Sequence, residues 1–273
     1  MDILEAIVAN KRREVAAQKA AVSLETMLSI SGSHMERPVV SMRAALGRSP
    51  SGIIAEFKRR SPSKGLLHPE AKVEDVATAY ARGGAAACSI LTDSDFFGGS
   101  LTDLRRARAA VGLPLLRKDF IVDEYQLFQA RATGADAVLL IAAILTPDEC
   151  ERLAQTAHAL EMEVMLEIHA EAELSHLNPH VDMLGVNNRH LGTFDTSVEN
   201  SFRLAAQARR HAGEGAGAPL LVSESGLADV ADVHRLRQAG FRGFLIGETF
   251  MKTPRPGETL QAFVRNLTAL SEE

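Results

Sequence analysis

The sequence predicts an α/β protein, a closed (β/α)8 barrel preceded by a helical extension, and three observations carry that prediction. Eight short apolar runs follow one another from residue 53 onward. Segments at helical spacing separate them, and polar residues gather where the runs end. Strands that alternate with helices pair in parallel, because each crossover needs a helix to return the chain. Strands covered on both faces read as nearly continuous apolar runs. Eight such units in roughly 220 residues match the usual size of a TIM barrel. A doubly wound open sheet is the structural rival. No glycine-rich dinucleotide fingerprint follows the first run, and barrels of this kind carry their active sites where the strands end.

The elements follow in order. Residues 1–52 precede the first strand, and Ile3, Leu4, Ile7 and Val8 make an apolar stripe at helical spacing. An amphipathic helix that packs on the barrel is expected there, and SGSHM (31–35) reads as a polar loop. The strand runs are IIAEF (53–57), AACSIL (86–91), PLLRK (114–118), DAVLLI (136–141), EVMLEI (163–168), DMLGVN (182–187), PLLVSE (219–224) and GFLIGE (243–248). Between them lie VEDVATAYARGG, LTDLRRARAAVG, TPDECERLAQTAHAL and VADVHRLRQAG. Several stop at glycine, the usual residue just past a helix end. The whole chain is expected to form one barrel domain with 1–52 packed on it.

Composition narrows the function classes. The 273 residues are 46% hydrophobic and 24% charged, enough for a large core. With 35 acidic against 30 basic residues, the net charge of −5 argues against a general nucleic-acid binder. Cys88 and Cys150 fall in apolar segments and are expected to be reduced thiols. The start, MDILEAIVANKRREVAAQK, is too charged for a signal peptide, and no apolar run approaches membrane-spanning length. A cytoplasmic monomer with neither a membrane nor a nucleic-acid partner is expected.

Chemistry collects at the strand ends. Side chains alternate across a strand, so Glu56 and Lys58 share the side of Ile54. Two charges at the lip of a packed interior are costly unless they have partners or a task. The same i, i+2 pattern places Lys118 with Phe120 and Asn187 with Arg189, while Glu167 shares a face with Met165. Strands 7 and 8 end differently, in VSESG (222–226) and LIGE (245–248). Turns of small residues offer backbone N–H groups to an anion, and barrels commonly bind phosphate there. Ser225, Gly226 and Gly247 are the candidates. The nine histidines show no metal-ligand spacing at a strand end, so no metal is expected. Lysines paired with glutamates suggest acid–base work on a carbonyl compound.

The segments EFKRRSPSKG, ILTDSDFFGGSLTDL, LLRKDFIVDEYQLFQARATGADAVLLI, MLEIH, GVNNRHLGTF, VSESG and FLIGETFM together closely resemble the indole-3-glycerol phosphate synthases. The likeness runs over almost the whole chain and includes the helical extension. It implies a cofactor-free carboxy-lyase of tryptophan biosynthesis acting on a small anionic substrate, 1-(2-carboxyphenylamino)-1-deoxyribulose 5-phosphate. By resemblance, Lys118 is the general acid at the ketone oxygen. Lys58 contacts phosphate and carboxylate and assists loss of the hydroxyl. Glu56 and Glu167 are the acid–base partners of dehydration. Asn187 and Arg189 are expected to hold the substrate and to position Glu56. Ser61 and Glu224 would contact substrate, with Phe97, Phe120 and Leu139 as apolar walls. Glu248 departs from the pattern, standing where many relatives carry a serine. The contribution expected from it to phosphate binding is a backbone N–H. A phosphoribosylanthranilate isomerase-like barrel is the rival enzyme, but its typical Cys/Asp pair at strand ends is missing. A non-catalytic sugar-phosphate sensor would not need Lys118 with Glu167.

Overall fold

The computed structural model describes residues 3–62, 64–189, 195–212 and 217–272. The tail of the GVNNRHLGTF motif, residues 190–194, lies outside them. Eight parallel strands form a closed barrel: β1 (Ile53–Phe57), β2 (Ala87–Leu91), β3 (Leu115–Lys118), β4 (Ala137–Ile141), β5 (Glu163–Ile168), β6 (Met183–Asn187), β7 (Leu220–Glu224) and β8 (Gly243–Ile246). Each pairs with its sequence neighbours, and β1 closes the ring against β8. All eight predicted runs are strands. The eighth is two residues shorter than expected, because Gly247 turns the chain and Glu248 opens a four-residue helix.

The crossovers are helices for the reasons the sequence supplies. The helix Val73–Gly83 is closed by left-handed Gly84, and Glu124–Thr133 by left-handed Gly134. Pro147–Ala159 begins with a Thr146/Glu149 capping box and a first-turn proline. Among the described residues no helix is long and apolar enough to cross a membrane. Cys88 and Cys150 are free and buried.

The core has two layers. The larger lies between strands and helices. The smaller fills the barrel, with Ile54, Ala87, Leu116, Leu139, Met165, Met183, Val222 and Leu245 each supplied by a different strand. Met42 and Leu46, fully buried, join that inner cluster. They belong to a short helix, Met42–Arg48, that precedes β1 and so plugs the end where the strands begin. The opposite end remains for chemistry.

Two more helices make up the extension, α1 (Ile3–Ala21) and α2 (Leu24–Met35). α1 buries Ile7, Lys11 and Val15. SGSHM is a correction: residues 31–35 are the last turns of α2, not a loop. Ser23 caps that helix, and its preceding residues carry the register through the polar stretch.

Candidate active site

The mouth follows from strand alternation. Two residues beyond Ile54, Leu116, Met165 and Val222 stand Glu56, Lys118, Glu167 and Glu224. These four come from the odd strands, which is how barrel interiors stack in layers of four. Here the top odd layer is entirely charged. Leu91, Ile141, Asn187 and Gly247 come from the even strands or their ends, and they line the same cavity of about 540 Å³. Gly185 lacks a side chain where one would collide with Met165 and Glu224.

Lys118 is the hub. Its Nζ lies 2.9 Å from Glu167 Oε2 and 3.1 Å from Glu224 Oε2. Burial works against the ammonium, but Glu167, Glu224 and Glu56 overcome it and hold Lys118 above the ordinary lysine value. Burial also raises Glu167, yet Lys118 and then His169 win, so its carboxyl lies well below the usual range. Glu224 goes the other way, raised by burial and then by the Glu167 charge. Lys118 favours the ionised form of both carboxyls, but burial and the Glu167 charge outweigh it at Glu224. The two therefore shift in opposite directions, the pattern that marks acid–base assignments.

Across the mouth, Lys58 Nζ lies 2.5 Å from Glu56 Oε1. Asn187 donates through Nδ2 to Glu167 Oε1 at 3.0 Å. Asn187 thus meets Glu167 rather than Glu56 here. β5 adjoins β6 in the barrel, whereas β1 is separated from it by β7 and β8. Arg189 has its backbone N–H on Asn187 Oδ1 at 2.9 Å and its guanidinium 3.7 Å from Glu248 Oε2. Glu248 also faces Lys64 at 3.8 Å, so its acid is set among cations on the rim.

Ser225 and Gly226 both adopt left-handed backbone, at φ 70° and 72°. The Ser225 carbonyl accepts from Asn188 Nδ2 at 3.1 Å, and Asn188 in turn donates to Ser223 Oγ. A side chain at Gly247 would collide with the Glu56 carboxylate. Apolar walls stand opposite: the Phe97 and Phe120 rings lie 6.0 Å apart, and buried Leu139 belongs to the inner barrel cluster. Ser61 follows β1 in a two-residue ladder with Gly65. All the predicted site residues line one cavity.

Sequence reasoning missed the part of the wall that α1 supplies, Ile3, Leu4 and Ile7. The stripe was visible, but nothing local says at which end of the barrel it lands. His169 was passed over as well. Its ring lies between two carboxylates, with Nε2 3.3 Å from Glu167 and Nδ1 3.6 Å from Glu173.

A closed (β/α)8 barrel with a lysine–glutamate cluster in its mouth and small-residue turns after β7 and β8 is an acid–base enzyme of the phosphate-handling barrel class. The family model for indole-3-glycerol phosphate synthase matches residues 4–267. The chain belongs to that family. It is 58% identical to the indole-3-glycerol phosphate synthase of Bacteroides thetaiotaomicron, over 97% of this chain and 98% of that one. The Neisseria meningitidis serogroup B enzyme of the same name is 46% identical, over 92% and 95%. The one from Burkholderia multivorans is 42% identical, over 95% and 97%. Among solved structures, a crystal structure of mandelate oxidase with benzoyl-formic acid superposes with a TM-score of 0.59. It is 16% identical and covers 82% of this chain and 73% of its own, a likeness of fold alone.

Proposed function

We propose that this mouth converts 1-(2-carboxyphenylamino)-1-deoxyribulose 5-phosphate to indole-3-glycerol phosphate, with loss of carbon dioxide and water. The observation that carries the reading is Lys118, an ammonium fixed between Glu167 and Glu224 on the cavity wall. The ring carbon bearing the carboxylate attacks the ketone carbon while Lys118 protonates the ketone oxygen. Carbon dioxide then leaves and restores the aromatic ring. Dehydration follows, with Lys58 assisting departure of the hydroxyl and Glu167 and Glu56 as the acid–base partners.

Charge and shape agree with this substrate. Its carboxylate and phosphate carry roughly −2.5 to −3 charges at neutral pH. Lys58, Lys118 and Arg189 offset them from the cavity lining. The phosphate sits at the Ser225–Gly226 and Gly247–Glu248 turns, with Lys58 reaching it. Ser61, Arg189 and Glu224 contact the sugar and carboxylate, and the aryl ring packs against Phe97, Phe120 and Leu139. Ile3, Leu4 and Ile7 of α1 line the same cavity as the barrel residues, which supports a reading in which barrel and extension act as one domain.

The test is indole fluorescence during incubation with the carboxyphenylamino sugar phosphate, wild type beside Lys118→Ala. A rise in wild type that collapses in the variant supports both the activity and the acid. Tight binding with no rise would mean that the mouth only holds this ligand.

A further inference from the structure

We propose that Lys11, outside the cavity lining, is a positioning residue that sets the spacing of the aromatic walls. The inference rests on the reading of Phe97 and Phe120 as the aryl cleft. Lys11 lies on α1 one turn beyond Ile7 and is 1% exposed. Its Nζ is 3.0 Å from Asp93 Oδ2, 3.0 Å from Asp119 Oδ1 and 2.7 Å from Glu14 Oε2. A buried ammonium ringed by carboxylates from three segments ties those segments together.

The two aspartates hold the loops that bear the aromatic rings. Asp93 accepts from the backbone N–H of Phe96 at 2.8 Å through Oδ1, and its carbonyl accepts from Gly99 at 2.8 Å. These bonds close the loop carrying Phe97. Asp119 accepts from the backbone N–H of Phe120 at 2.9 Å through Oδ1. It follows Lys118 directly in the chain. Its far oxygen is fixed by Thr92 and Arg117, at 2.6 and 2.9 Å. Lys11 therefore bridges the Phe97 loop and the end of β3 at one atom. Without its charge, two buried carboxylates would face each other and the loops would part. The same ammonium fixes α1, so Ile3, Leu4 and Ile7 are set against the cleft by the contact that sets its width.

The experiment compares Lys11→Met and Asp93→Asn with wild type. Steady-state kinetics are paired with calorimetric binding of a non-reactive substrate analogue carrying an alcohol in place of the ketone, and of inorganic phosphate. Lys11→Met is expected to raise KM and weaken the analogue about tenfold or more, since small misplacements of binding groups carry large costs. Phosphate affinity, which rests on the β7 and β8 turns, should stay unchanged, and kcat should fall less than KM rises. Asp93→Asn should show the same split at smaller amplitude, and it decides the matter if Lys11→Met does not fold. An unchanged KM with kcat falling in step with the folded fraction would reduce Lys11 to a fold stabiliser. Parallel loss of phosphate and analogue would mean general loosening and would equally overturn the proposal. Failure of wild type to turn over would sink the proposed reaction, while analogue binding would still decide the role of Lys11.

Discussion

Lys118 Nζ and Glu167 Oε2 stand 2.9 Å apart, on strands that are not neighbours, because alternate strands supply one layer of the barrel interior. The contact keeps the lysine protonated, as a general acid requires, and it lowers the carboxyl of its partner. In the proposed reaction, a Lys118 that has given its proton to the ketone would leave Glu167 without its nearest cation and make it a stronger base. One pair can thus serve ring closure first and dehydration second. Replacing Lys118 with alanine should cost about 10²–10⁴-fold in kcat, the usual worth of a positioned acid. Indole fluorescence measures it, and a loss below about fivefold would remove Lys118 from that role.

Glu224 offers a test with a definite sign. Its carboxyl is raised, by burial and then by Glu167, and its ionised form adds to the field that keeps Lys118 charged. Glu224→Gln removes that negative charge, so the ammonium should lose its proton at lower pH. The alkaline limb of the kcat profile should move down in pH, with the acid limb changed less. An alkaline limb that does not move would mean that Glu224 binds substrate without tuning the acid.

Much of this site was legible because alternation along a buried strand is a local rule. Ile54 inside implies Glu56 inside, and the same step gives Lys118 from Leu116 and Glu167 from Met165. What stayed hidden depends on which strands become neighbours. Asn187 meets Glu167 of the adjoining β5, whereas Lys118 of β3 reaches Glu167 and Glu224 of β5 and β7 across the mouth. These contacts depend on the barrel's closure and curvature rather than on spacing along the chain. The helical course of residues 31–35 was hidden too, since serine, glycine and histidine have weak propensity and the preceding turns of α2 decide. Lys11 did leave a trace. It interrupts the buried stripe of Ile7 and Val15, and a lysine there demands a carboxylate somewhere else in the fold.

His169 predicts a pH-dependent term in stability. Burial would lower its basicity, but Glu167 and Glu173 prevail and raise it from 6.5 to about 10. A group raised on folding stabilises fully below its unfolded value and loses that contribution as pH rises through its folded value. The difference in melting temperature between wild type and His169→Asn should therefore be largest near pH 6 and shrink toward pH 10. A difference independent of pH would show that the ring acts by packing alone.

The plug at the far end separates stability from catalysis. Leu46 is 1% exposed in the inner barrel cluster, on the helix that closes the end away from the mouth. Leu46→Ala should lower unfolding stability by about 2–5 kcal/mol, the range for a buried leucine truncation. KM should not change at temperatures where the variant is folded. Denaturant titration and kinetics on one preparation would check both, and a raised KM would mean that the plug communicates with the mouth.

Gly226 tests the phosphate turn. Its φ of 72° lies in the left-handed region, and a side chain there would run into Thr196. Ser225 already holds the same region without being glycine, so this turn stores strain at a place suited to a ligand. Gly226→Ala should force the turn to shift. The N–H groups would then leave the positions from which they meet an anion. Weaker competitive inhibition by inorganic phosphate is expected, together with a higher KM. Lys118 keeps both carboxylate partners, so kcat at saturation should fall far less. Phosphate inhibition equal to wild type would move the phosphate away from the β7 turn and leave Gly247 and Lys58 as its holders.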